Sequence, residues 1–448
     1  MSAQPYSAYR NTGVEWLGPV PSHWQVSRLN ALFREVSEPG SDELPVLSVS
    51  IHSGVSDTEL ADDETDRMVA RSEDRSKYKR VEPNDLVYNM MRAWQGGFGA
   101  VQTVGAVSPA YVVARPTSSQ STRFVERLLR TSNAVSEMKR LSKGVTDFRL
   151  RLYWDEFKNI KVALPPPDEQ VAIDAFLDRE TAKIDALVEV QERLIALLKE
   201  KRQAVISHAA TKGLDPAAPM KDSGIEWLGQ VPAHWSTTKL GHVCSKIGSG
   251  KTPSGGAEAY VDDGIAFLRS QNVYDEGLWL DELVYISEQT DEEMANTRVL
   301  PGDILLNITG ASLSRTSIVP DNFERANVNQ HVCILRLGNA SLRDFVSLVM
   351  KSFPTKGQID ALQNGAAREG LNFKQISSIV IALPPLDEAR AIFSFVLSEV
   401  SILDRMTTQA EAAITLLQER RAALISAAVT GKIDVRGLVA PVQEASAA

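Results

Sequence analysis

A chain of 448 residues is too long for one ordinary domain, and at roughly 150 residues per domain about three or four units are expected. Its 43% hydrophobic and 23% charged residues fit packed globular domains, and no apolar run approaches the ~20 residues of a membrane helix. The net charge of −9 excludes a uniformly basic nucleic-acid coat but leaves room for a local positive face.

Cys244 and Cys333 are the only cysteines, so neither a disulfide framework nor a zinc cluster is expected, and both read as buried, inert thiols. The six histidines form no H-x-x-x-H pair, and no metal site is expected from them. The N-terminal text MSAQPYSAYRNTG has neither the basic start nor the apolar core of a signal peptide, which makes the cytoplasm the expected location.

In chain order, LPVLSVSI, DLVYNM and AYVVARP read as short strands between Gly, Pro and Asp breakers, followed by a helix over TRFVERLLRTSNAVSEMKRL. Residues 168–208 carry apolar side chains at helical spacing with no internal Pro or Gly. Prolines 165–167 and Asp168 mark the start of this helix, and Gly213 follows its end. Strands DILLNITG and HVCILRL, a helix over RDFVSLVMKSF and a second long helical segment complete the chain.

The chain repeats itself once. NTGVEWLGPVPSHW at 11–24 returns as DSGIEWLGQVPAHW at 222–235, an offset of 211. ALPPPDEQVAI at 163–173 returns as ALPPLDEARAI at 382–392, and KRQAVISHAATKGLD at 201–215 as RRAALISAAVTGKID at 420–434, both offset by 219. EPNDLVYN at 82–89 echoes LPGDILLN at 300–307, while most of the intervening text differs. One frame holding two different inserts is the pattern of an architecture that must present two different surfaces.

Along the long helices the apolar seam is expected at Ile173, Leu177, Ile184, Leu187, Leu194 and Leu198, and again at Ile392, Val396, Leu403, Met406, Leu417 and Leu424. With Glu180, Gln191, Lys201 and Val205 completing the first seam, and Glu399, Ala410, Ala413 and Arg420 the second, the steps alternate between four and three, as in a coiled coil, here between two antiparallel helices of one chain. About forty residues at ~1.5 Å each form a rod of roughly 60 Å. Glu180 with Arg420, and Lys201 with Glu399, are the expected seam pairs. The predicted fold is mixed α/β, duplicated about a pseudo-twofold, with recognition domains at 1–164 and 215–383. Spacer helices are expected at 165–214 and 384–434, and a tail at 435–448.

These pieces resemble the specificity subunit of type I restriction–modification systems. The resemblance rests on Tyr9, the G-x-E-W-L-G texts at 13–18 and 224–229, and the P-x-H-W endings at Pro21–Trp24 and Pro232–Trp235. The L-P-P-x-D-E entries, the K/R-R-x-A-x-I-S exits and GSGKTPSGG at 248–256 also match. It covers nearly the whole chain and appears twice in the same order. It implies two target recognition domains, each reading one part of a split, asymmetric duplex DNA site. It also implies helices that act as spacer and as docking surface for two methyltransferase subunits, with restriction–translocase subunits joining the complex. No cofactor is then expected in this chain: S-adenosylmethionine, ATP and Mg2+ belong to the partners. One departure is Ala389, where the first half has Gln170.

For phosphate contact and base reading, the candidates in the first half are Arg71, Arg75, Lys77, Lys79, Arg80, Arg92, Lys143 and Arg149. In the second half they are Lys246, Lys251, Arg269, Gln271, Asn272, Arg315, Asn329, Gln330 and Arg368. No catalytic residue is expected. GSGKTP lacks the earlier glycine of a phosphate-binding loop, since Ser245 stands there. A nuclease built on Asp147, Glu156 and Lys158 finds no echo, because Gln375 and Ser377 occupy the repeat positions. A self-contained nuclease or methyltransferase and a coiled-coil adaptor that never touches DNA are the rival readings. Trp16, Trp24, Trp227 and Trp235 recur in both frames, which favours packing over base stacking.

Overall fold

The computed structural model describes residues 4–41, 43–51, 54–56, 77–117, 120–144, 150–363 and 370–438. Two long helices dominate it, α1 (Pro167–Lys212) and α2 (Leu386–Val429). Contacts divide the chain into two compact units, 1–190 with 413–448, and 191–412. This division runs through both long helices rather than at their ends, so each unit holds one α/β body and half of each helix.

In the first unit β1 (Phe33–Val36), β2 (Leu86–Asn89), β3 (Phe98–Ala100) and β4 (Tyr111–Pro116) form an antiparallel sheet in the order β1-β4-β2-β3. In the second, β5 (Cys244–Ser249), β6 (Ile304–Asn307), β7 (Thr316–Ile318) and β8 (Val332–Leu337) repeat it as β5-β8-β6-β7. The duplication therefore extends into text whose sequences have diverged. The central sheet of each unit packs its inner residues, such as Leu86 and Tyr88 or Ile304 and Leu306, against the adjoining helices. The second unit adds a five-stranded sheet with one parallel pair, Ile265–Leu268 beside Ala326–Val328.

The expected helix over 122–141 is two helices, Thr122–Leu129 and Ser132–Leu141. Thr131 takes extended backbone between them, and its hydroxyl donates to Leu128 O at 2.7 Å, ending one helix where the next begins.

A buried ion pair recurs in each sheet. Arg115 donates to both carboxylate oxygens of Asp85 at 2.9 and 3.0 Å, and Arg336 to both of Asp303 at 2.8 and 2.7 Å. Each aspartate also accepts a turn amide, Glu82 N and Leu300 N respectively. That turn needs a left-handed residue just before the aspartate, supplied by Asn84 (φ 71°) and Gly302 (φ 81°).

Within each unit α1 and α2 run antiparallel. Ile173 and Leu177 share a core with Ala428 and Val429, and Ala209 and Ala210 share one with Ala389 and Ile392. Ile173, Leu177, Ile184, Leu198, Ile392, Val396 and Leu403 are buried, and Leu194, Leu417 and Leu424 half-buried. Leu187 and its repeat Met406 depart from the expected seam, being 50% and 42% exposed. After Ile184 the inward positions become Val188, Gln191, Ile195, Leu198 and Arg202, and after Leu403 they become Thr407, Ala410, Ile414 and Leu417. A strict heptad repeats every 3.5 residues whereas a straight helix turns every 3.6, so the buried stripe slides one position onward over a few turns. The same slide corrects the expected ion pairs. Glu180 pairs with Arg179 and Lys183 on its own helix, while the cross-helix pairs are Arg202–Asp404 and Arg421–Asp185.

Candidate nucleic-acid interface

The repeated frame text builds an anchor rather than a site. Trp24 Nε1 donates to Glu169 Oε1 at 2.9 Å, and His23 Nε2 lies 2.8 Å from Oε2. In the second unit Trp235 Nε1 donates to Glu388 Oε1 at 3.0 Å, and His234 Nε2 lies 2.7 Å from Oε2. Both indoles are buried, so the P-x-H-W text ties each α/β body to the first turn of a long helix. Arg10 and its repeat Lys221 each donate to the carbonyl of the anchored tryptophan. Trp16 is half-buried; Trp227 departs from the expected packing, being 48% exposed with one part of its ring against Gly357. Gln170 is buried, donating to Pro165 O and accepting from Ser121 N, each at 2.9 Å. Ala389 in its place packs into the apolar core of the second unit.

The loops that differ between the units gather at one end of each sheet, where β2 ends in Asn89 and β6 in Asn307. Asn307 N donates to Arg315 O at 2.9 Å, and its side-chain Nδ2 donates to Ser270 O at 2.8 Å. Ile308 N donates to His331 O at 3.0 Å. Segments 269–274, 308–315 and 329–331 therefore meet around this buried asparagine, bringing together Arg269, Gln271, Asn272, Arg315, Asn329 and Gln330. In the first unit Asn89 N donates to Gly97 O at 2.9 Å, closing a loop that carries the exposed Arg92 and the half-buried Trp94. Lys139 lies over the Trp94 ring at 5.1 Å.

The predicted residues play unequal parts. Asn272 is fully buried, accepting from Arg269 N at 2.9 Å and donating to Trp279 O at 2.8 Å, so its amide braces the loop. Gln271 is exposed and donates to Glu282 at 3.3 Å; Gln330 is exposed beside His331, and Asn329 accepts from His331 N at 3.1 Å. Arg269 lies over Tyr260 at 5.9 Å and Arg315 over Tyr274 at 4.5 Å. Lys79 donates to Tyr111 O at 2.7 Å and Lys246 to Asn296 O at 2.6 Å, and burial pushes the pKa of both ammonium groups down. Arg80 faces Glu82 at 3.4 Å, and Lys143 is ion-paired to Glu156. Lys77 and Lys251 are exposed. Arg71, Arg75, Arg149 and Arg368 lie outside the described residues, as does Asp147 of the nuclease reading. Lys158 turns to Asp155 at 2.6 Å, away from the Lys143-bound Glu156.

GSGKTP forms the end of β5 and a turn, leading to a 3-10 turn at Gly256–Ala259 rather than to an α-helix. A side chain at Gly250 would collide with Val328 O, so the glycine serves close backbone packing. Sequence reading missed Tyr274, Trp94 and the two strand-end asparagines; the echo of EPNDLVYN with LPGDILLN already aligned the latter.

Residues 232–421 match the family described as the type I restriction modification DNA specificity domain. The chain is 25% identical over 283 residues to the Escherichia coli EcoBI specificity subunit, covering 61% of this chain and 58% of that one. It is 21% identical over 458 residues to the EcoKI specificity subunit of Escherichia coli K12, covering 94% and 91%. Over these stretches the chain is similar to type I specificity subunits. It thus spans less than two thirds of the length of the EcoBI subunit and most of the EcoKI subunit. A chain solved in work on the assembly and conformational transition of the type I R-M system shares its fold. The TM-score is 0.64 at 16% identity, over 92% of this chain and 99% of that one. Among the described residues, no helix is long and apolar enough to cross a membrane.

Proposed function

We propose that this chain is a sequence-specific DNA-binding subunit that performs no chemistry itself, each unit reading one part of a bipartite, asymmetric duplex site. One observation carries the reading: the same asparagine-ended sheet, tied to a long helix by the same anchor, presents different side chains in the two units. Common support with divergent tips is what two half-sites require, because base edges are read by the tips while the frame only positions them. The long helices are the docking surface for two methyltransferase subunits, and restriction–translocase subunits complete a cytoplasmic complex. S-adenosylmethionine, ATP and Mg2+ are held by those partners.

The test is a segment exchange. Replacing residues 25–160 with the corresponding segment of another family member, in cells that supply the partner subunits, is expected to change one half of the methylated site and leave the other. A change in both halves would overturn the assignment of one half-site to each unit.

A further inference from the structure

Six arginines between residues 215 and 383 are described, and four of them are neutralised by carboxylates. Arg298 and Arg325 share Asp291, Arg336 holds Asp303, and Arg343 holds Asp321. Arg269 donates to Glu282 O at 2.9 Å. Arg315 is different. Among the described residues its guanidinium has neither a hydrogen bond nor an ion pair, and it lies over the Tyr274 ring, 4.5 Å from the centroid.

The fold works to hold it there. Ser314 takes a left-handed backbone (φ 69°), rarely adopted by a residue with a side chain, and donates from N to Asn307 O at 3.0 Å. Asn307 N in turn donates to Arg315 O, so the loop is closed on both sides of the arginine's backbone. Asp275, next to the stacking tyrosine, accepts from Thr316 N at 2.9 Å and from Lys356 Nζ at 2.5 Å. Tyrosine and arginine are thereby fixed to one strand end. Among the described residues, Asn307 Oδ1 at this strand end and Arg269 Nε on the adjoining 269–274 segment are buried without a hydrogen-bond partner.

A guanidinium stacked by its face keeps its N–H edge free and loses little freedom on binding, whereas the natural planar partner of such a fork is the O6/N7 edge of guanine. We infer that Arg315, presented by Tyr274, reads a guanine in the half-site taken by the second unit. This rests on the DNA-reading function proposed above.

The experiment maps methylated adenines across the host genome in cells carrying the full chain with its partner subunits. Arg315→Ala is expected to relax one guanine position of one half-site to any base, with discrimination there falling about 5- to 150-fold and the other half-site unchanged. Arg315→Gln should move the preference at that position toward adenine, and Tyr274→Phe, which keeps the stack, should leave the motif intact. Arg343→Ala, at a neutralised arginine, should also leave it intact. A motif that keeps every guanine in Arg315→Ala, or methylation that falls equally at all sites, would overturn the inference. If the unaltered chain directs no bipartite methylated motif at all, the failure is that of the DNA-reading function itself.

Discussion

Arg202 Nε lies 3.1 Å from Asp404 Oδ1, and Arg421 Nε lies 3.1 Å from Asp185 Oδ1. Each arginine stands 219 residues from the other, as does each aspartate. The two units thus use the same cross-helix pair with the roles of α1 and α2 exchanged. Both aspartates are exposed, so either pair contributes only about 0.2–1 kcal/mol. Arg202→Asp should lower the denaturation midpoint slightly, and adding Asp404→Arg should restore it. Lys201→Asp, one position off the seam, should have no such partner at Glu399, and a double-mutant cycle measures the difference.

The glutamate anchors should be unequal. Glu169 is buried under Tyr6, His23 and Trp24, all within hydrogen-bonding distance of its carboxylate, whereas Glu388 is 30% exposed and, among the described residues, holds His234 and Trp235 alone. Removing a buried acceptor costs about 1–3 kcal/mol for each donor left unsatisfied. Urea unfolding should therefore show a larger loss for Glu169→Ala than for Glu388→Ala, and equal losses would refute the ranking.

Asp85 and Asp303 should tolerate little change. Replacing either with alanine strands a largely buried guanidinium and a turn amide, at a cost of about 3–5 kcal/mol. Soluble yield and thermal unfolding should both fall. Asp85→Ala combined with Arg115→Met should recover part of the loss, and a double variant no better than the single one would argue against the pair.

Burial pushes both thiols up to about 12. At pH 8 the thiolate fraction is then about one part in ten thousand, and the thiolate is the reactive species. Cys333 is buried, whereas Cys244 is only half-buried, against the expectation of two buried thiols. Cys333 should not react with an alkylating reagent until the chain is unfolded, and Cys244 only slowly; rapid native labelling of Cys333, read by mass spectrometry, would contradict its burial.

A fragment of residues 1–215 retains all of α1 but loses 413–438, which cover Ile173, Phe176 and Leu177 in the first unit. Each such side chain is worth roughly 1.5–3 kcal/mol when buried. Residues 194–212 of a second copy are the sequence repeat of 413–431 and can take their place, setting Arg202 opposite Asp185 where Arg421 stood. The fragment should be an antiparallel dimer in solution, and its complex should methylate an inverted repeat of one half-site. A monomeric fragment, seen by sedimentation, would show that the repeat segments are not interchangeable.

The sequence by itself determined the duplication and the two long helices, because repeats and helical periodicity can be read along the chain; the antiparallel sense followed from an intervening body long enough to bring the second helix back. It also marked the buried role of Trp24 and Trp235, since residues shared by both frames cannot distinguish two half-sites. Tertiary structure decided the rest. The seam slid from Leu187 to Val188 because accumulated helical twist, not the best-looking heptad, sets which side faces a partner. Asn272 left the surface because a loop that crosses a strand end must satisfy its backbone groups. Arg115 and Arg336, far in sequence from Asp85 and Asp303, came to them only through strand order. Arg315 acquired its ring partner from Tyr274, which lies 41 residues away in the chain and meets it when β6 and β7 close their hairpin. Such choices depend on which groups become neighbours, and that is a property of the packed chain rather than of any window along it.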